Sequence, residues 1–128
     1  MKILLDTHVF IWMCSGDERL SRAARNAILH SHSRLHLSVA SWWEMSVKIS
    51  IGKLKLHPHW ATLFKREMQN NGIEWLPVRP EHCERVATLP FHHRDPFDRM
   101  LVAQAQQEKM MILSADVNLR NYDVKVLW

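Results

Sequence analysis

The chain has 128 residues, 47% of them hydrophobic, which is enough to bury a core and too many for a disordered segment. Seventeen Lys and Arg stand against 13 Asp and Glu, a net charge of +4 with histidine neutral, compatible with a polyanionic partner without requiring one. No run approaches the ~18 apolar residues of a membrane span, no secretory segment is read at the start, and Cys14 and Cys83 lack any metal or redox spacing. The expectation is one cytoplasmic domain over 1–128 with reduced thiols and no membrane contact.

Ile3-Leu4-Leu5 is short, apolar and closed by Asp6, as in a buried parallel strand. A helix is expected from Thr7 to about Cys14, with Val9, Phe10, Trp12 and Met13 inward, stopped at the turn Ser15-Gly16-Asp17. Ser21 reads as the N-cap of a helix to about His30, with Ala23, Ala24, Ala27 and Ile28 at helical spacing. Leu35-His36-Leu37 is the second strand. Ser38 caps a long helix whose apolar faces carry Val39, Trp42, Trp43, Met45, Val47 and Ile49, and Gly52 ends it.

Pro58 begins the next helical segment, with Trp60, Leu63, Phe64 and Met68 on one side, and Asn70-Asn71-Gly72 stops it. Ile73 to Leu76 is a third strand, and Pro80 opens a short helix to about Leu89. Asp95-Pro96 starts a helix holding Phe97, Leu101, Val102 and Ala105. Met111-Ile112-Leu113 and Val124–Leu127 are the last strands, with a helical turn near Val117–Leu119 between them. Strands alternating with helices argue for a parallel sheet covered on both faces.

On such a sheet the C-terminal strand ends share one edge, where ligand sites of open α/β folds lie. Four acids fall near it: Asp6 after the first strand, Glu44 on the helix after the second, Asp98 opening the helix before the fourth, and Asp116 after the fourth. Each has a local explanation. Asp6 and Asp116 are natural caps. Ser41-Trp42-Trp43-Glu44 matches a capping box, although Ser38 is the better cap and leaves Glu44 in the second turn amid apolar neighbours. Asp95 suits an N-cap before Pro96, and being three residues from Asp98 it can share that face, as a cap, an alternate ligand or outer support. Jointly, converging carboxylates repel one another and are stable mainly when they hold a hard cation such as Mg²⁺ or Mn²⁺.

Leu5-Asp6-Thr7, Ser38 to Glu44, Asp95-Pro96-Phe97-Asp98-Arg99 with Ala103-Gln104-Ala105, and Ser114-Ala115-Asp116 together resemble the PIN-domain nucleases, and in particular the VapC-like toxin ribonucleases of bacterial toxin–antitoxin systems. Trp43-Glu44 through Gly52-Lys53-Leu54 and the stretch Tyr122 to Trp128 are also similar to one VapC-like subgroup, so the resemblance spans the chain. It implies an α/β/α sandwich around a parallel sheet of four to five strands. It also implies a Mg²⁺- or Mn²⁺-dependent ribonuclease with Asp6, Glu44, Asp98 and Asp116 as its acidic quartet and Ser114 as a hydroxyl near the metal. Water attack would leave a 5′-phosphate and a 3′-hydroxyl. The implied partners are RNA, a cognate antitoxin covering the acidic site, and a second copy of the chain.

RNA drawn to an acidic site needs a basic surround. Lys48, Lys53, Lys55, Arg94 and Arg99 are the substrate-contact candidates, joined by Thr7 beside the first acid; His8 reads as a surface residue. The six tryptophans serve as partly buried core or as interface anchors. A receiver-like phosphoacceptor domain would need an acidic residue after the third strand, where Pro77-Val78 stands, and a dehalogenase-type phosphatase would need a second Asp where His8 stands. The remaining alternative is a catalytically inactive PIN-fold module binding RNA or protein.

Overall fold

A computed structural model describes residues 1–128. Strand β1 (Lys2–Leu5) leads to α1 (Thr7–Ser15) and α2 (Arg22–Leu29), then β2 (Arg34–Ser38), α3 (Val39–Ser50) and α4 (Trp60–Asn70). Next come β3 (Glu74–Leu76), α5 (Pro80–Thr88), α6 (Pro96–Glu108), β4 (Met111–Leu113), a 3₁₀ helix (Val117–Asn121) and β5 (Val126–Leu127). The five strands form one sheet in the order β3-β2-β1-β4-β5, and every pairing is parallel.

Strand side chains alternate between two cores. Ile3, Leu5, Met111 and Leu113 face Val9 and Phe10 of α1, Ala24 and Ala27 of α2, Met45 of α3 and Met68 of α4. Leu4 and Ile112 face Leu101, Val102 and Ala105 of α6, with Leu89, Leu119 and Tyr122 closing that side. The result is an α/β/α sandwich.

Local chemistry sets the boundaries. Ser21 and Ser38 accept backbone N–H groups of Ala24 and Ala40 at the starts of α2 and α3. Helix α1 ends at Gly16, whose φ of 64° lets its N–H reach back to Trp12. Two expected apolar positions of α3 point outward: Val39 is exposed at the first turn, and Trp43 lies 62% exposed with its ring edge-on to Phe97. Trp42 packs between Trp60 and Trp75, and Trp12 against Trp128, so these rings fill the margins of the first core. Of the two thiols, Cys14 is half-buried on α1 and pushed up to about 12 by burial and then by Glu67, whereas Cys83 is exposed on α5. No helix is long and apolar enough to cross a membrane.

Candidate metal centre

Beginning with β1, the chain adds β2 and β3 on one side and β4 and β5 on the other, so the strand order reverses between β1 and β4. A crevice opens at the C-terminal ends of two such strands. Asp6 and Ser114 stand there, one residue beyond β1 and β4. The Asp6 N–H donates to the Leu113 carbonyl at 3.0 Å, and the Ser114 hydroxyl donates to Asp6 Oδ2 at 2.6 Å. The same Ser114 oxygen accepts the Asp116 N–H at 3.0 Å. One hydroxyl thus fixes two of the acids relative to each other.

Glu44 enters from α3 and is buried. The Thr7 hydroxyl lies 2.7 Å from Glu44 Oε1 and 2.8 Å from the Ser41 hydroxyl, and Lys48 forms an i,i+4 ion pair with Glu44 Oε2. Ser41 is therefore no cap. It belongs to a hydroxyl relay under Glu44, and the capping-box motif is coincidental, because Ser38 occupies the cap. Thr7, a candidate for touching substrate, is itself buried and instead orients Glu44.

Helix α6 supplies two acids at its first turn. Asp95 Oδ1 accepts the N–H groups of Phe97 and Asp98, the geometry of an N-cap. Asp98 then projects into a cavity of about 420 Å³ shared with Asp6, Glu44, Asp95, Asp116, Lys48, His8, Trp12 and Arg19. Asp116 does two things at once: Oδ1 caps the 3₁₀ helix through the Asn118 N–H, while Oδ2 faces the cavity and His93.

The electrostatics follow from this crowding. Burial and then the charges of Asp6, Asp95, Glu44 and Asp116 push Asp98 up to about 8. Burial also raises Asp6, against the opposing hydrogen bond from Ser114. Burial pulls Lys48 down, yet Glu44 with Asp95 and Asp98 more than offset it and leave it raised. Hard oxygen donors from four elements, crowded together and one of them raised by burial and then by its neighbours, suit Mg²⁺ or Mn²⁺, which takes carboxylate oxygens and relieves their repulsion. The residues fit such an ion.

The basic candidates divide. Arg99 is corrected: it is buried, and its guanidinium donates to the carbonyls of Pro90, Val86 and Leu89 and to the Tyr122 hydroxyl, so no face is left for a phosphate. Lys48 is engaged with Glu44 at the cavity wall. Lys53 lines an adjoining cavity of about 230 Å³ with Thr7, His8, Ile11, Met45 and Leu54. Arg94 and Lys55 are exposed. The sequence reading overlooked His93, whose Nε2 lies 2.8 Å from Asp116 Oδ2 and 3.1 Å from Asp98 Oδ2. The pair His92-His93 immediately before Arg94-Asp95 was the available signal. Arg19, stacked on the Trp12 ring at 4.9 Å, is a second overlooked residue at the cavity.

The comparisons with known proteins agree with this architecture. The PIN domain model matches residues 3–125. Ribonuclease VapC22 of Mycobacterium tuberculosis is 27% identical, over 94% of this chain and 91% of the relative. Among solved structures, VapBC2 from Rickettsia felis, bound to a promoter DNA fragment, superposes with a TM-score of 0.75 at 10% identity, covering 99% of this chain and 98% of that one. A toxin–antitoxin complex from Klebsiella pneumoniae gives 0.62 at 17% identity, covering 98% and 96%. With the family model matched along nearly its whole length, on a five-stranded parallel sheet with its acids gathered at the switch point, the chain belongs to the PIN domain family.

Proposed function

We propose that this chain is a Mg²⁺- or Mn²⁺-dependent endoribonuclease, the toxin of a bacterial toxin–antitoxin pair. The observation that carries the reading is the convergence of Asp6, Glu44, Asp98 and Asp116 on one cavity, with Asp98 pushed up to about 8 by burial and then by the charges of its neighbours. A scaffold that only binds has no reason to tolerate that repulsion, and a hard cation relieves it. The similarity to a protein named a ribonuclease supports RNA as substrate. The solved VapBC and toxin–antitoxin complexes support an antitoxin partner. The exposed Trp43 ring beside Phe97, flanking the acids, offers apolar surface for such a partner or for a second copy of the chain.

The four carboxylates would hold the cation, with Asp95 as outer support. A cation bound there supplies an acidified water and screens the phosphate charge. The chain's own groups do the rest. Ser114 fixes the Asp6 rotamer, Thr7 and Ser41 fix Glu44, and Lys48 pairs with the other Glu44 oxygen. Asp98 would release its proton to solvent on joining them. Lys53, lining the adjoining cavity, and the exposed Arg94 would meet the flanking backbone of an RNA strand, and Lys48 adds positive charge at the cavity wall.

The test is cleavage of RNA with Mg²⁺, Mn²⁺ or EDTA, comparing wild type with Asp6→Asn and Asp98→Asn. Metal-dependent cleavage lost in both variants supports the reading, and equal activity in all three proteins removes it. Growth arrest on expression, relieved by co-expression of a neighbouring gene, tests the toxin role.

A further inference from the structure

His93 touches two acids of the quartet from the loop before α6, and its surroundings fix which of its nitrogens carries a proton. Its Nδ1 lies 3.1 Å from the backbone N–H of Asp95. A backbone N–H can only donate, so Nδ1 must be the bare, accepting nitrogen. The proton then sits on Nε2, which points at Asp116 Oδ2 and Asp98 Oδ2.

We infer that His93 is a positioning residue that clasps Asp98 and Asp116 through its Nε2–H, and that it is not itself a ligand of the cation. The ligand alternative is geometrically reasonable, because the donor atoms of His93, Asp98 and Asp116 lie within 4.8 Å of one another. It requires a bare Nε2. That tautomer sets Nδ1–H against the Asp95 N–H, donor against donor, inside a cap already committed to Phe97 and Asp98.

The ring is aimed by a braced loop. The His93 N–H donates to the Tyr122 hydroxyl at 3.0 Å, and the same oxygen accepts Arg99 Nη1 at 3.2 Å. Arg99 also ties down the carbonyls of Pro90 and Leu89, the residues that lead into the loop. The buried guanidinium, a buried phenol and the imidazole thus form one chain of contacts ending on two acids. This assigns Arg99 and Tyr122 to the support of the site. A partner that orients acidic ligands typically contributes 10–100-fold to metal affinity.

The consequence for metal binding rests on the proposed metal site; the tautomer does not. Long-range ¹H–¹⁵N correlation spectra of the metal-free full-length protein at pH 7.5 are expected to show His93 protonated on Nε2 alone. An Nδ1–H tautomer or a doubly protonated ring overturns the inference. Manganese titration followed by electron paramagnetic resonance is expected to show about 10–100-fold weaker binding in His93→Ala. Recovery is expected in His93→Gln, whose amide N–H replaces Nε2–H, and the wild-type Mn²⁺ signal is expected to lack imidazole ¹⁴N coupling. A ¹⁴N coupling, unweakened binding in His93→Ala, or a His93→Gln variant as weak as His93→Ala each overturns it. If the wild type binds no Mn²⁺ and cleaves no RNA, the nuclease reading fails, and the tautomer spectra still decide the role of His93.

Discussion

The two halves of the acid cluster are built on different principles. On the α1–α3 side, Asp6 and Glu44 are buried and already satisfied by the hydroxyls of Ser114 and Thr7 and by the Lys48 ammonium. On the α6–β4 side, Asp98 and Asp116 are more open, with Asp116 27% exposed at its side chain against 3% for Glu44, and a single imidazole faces both. The first half is preorganised by neutral hydroxyls and one cation of the protein. In the second, burial and then the charges of the neighbouring acids bear most heavily on Asp98. A cation arriving from solvent therefore finds one wall fixed and one wall that gains most from its charge.

The largest expected effect erases the comparison altogether. Asp6→Asn and Asp98→Asn, one from each half, should each lower metal-dependent RNA cleavage by roughly 10²-fold or more, since a catalytic metal contributes several kcal/mol to the transition state. Activity surviving in one of them would show that only the other half holds the ion.

Next in size is the support beneath the open half. Arg99→Ala strands buried carbonyls and the Tyr122 hydroxyl, and should cost about 3 kcal/mol of folding stability in urea denaturation. An exposed substrate-contact arginine would cost less than about 0.5 kcal/mol.

The preorganised half is sharpened by Thr7→Val, which keeps the shape and removes the hydroxyl shared with Glu44 and Ser41. A loss of about 1–2 kcal/mol in stability is expected, because Glu44 and Ser41 stay buried with one bond fewer. Thr7→Ser should restore most of it.

The repulsive half has a pH signature. An acid whose pKa is higher folded than unfolded contributes most favourably below its unfolded value, and that contribution is lost as pH rises toward its folded value. For Asp98 the window runs from 3.8 to about 8. Asp98→Asn should therefore raise the melting temperature of the chelated protein by about 5 °C at pH 8 and change it little at pH 4. A larger gain at pH 4 would contradict the electrostatic account.

The smallest effect concerns the surround. Lys53→Ala should reduce the salt slope of RNA binding by about one, and Arg99→Lys by nothing if that variant folds.

Strand positions and the covered parallel sheet could be read from the sequence where single physical rules act, whereas the strand order could not. Short apolar runs closed by a polar residue are buried strands, and Ser38 and Asp95 announce their helices by capping chemistry. Boundaries shifted by a residue or two at Pro58, Leu89 and Val124, where helix and strand ends answer to tertiary contacts. Two kinds of residue escaped. Arg99 sits among charged neighbours in sequence, and nothing local reveals that three carbonyls on the 86–90 segment converge on it. His93 gains its meaning only when Asp116, from the turn after β4, is folded beside it. For Asp116 the cap and the site are both right, because a carboxylate has two oxygens and here uses one for each.

The unequal thiols of Cys14 and Cys83 make the molecule addressable. Thiolates, not thiols, react with alkylating reagents, and Cys14 is half-buried with its thiol pushed up to about 12, while Cys83 is open on the opposite layer. A maleimide spin label or fluorophore should couple at Cys83 alone in the unaltered sequence. Attached to α5, it would serve as a fixed beacon from which a paramagnetic ion at the cavity, or an approaching protein partner, could be ranged without introducing any mutation.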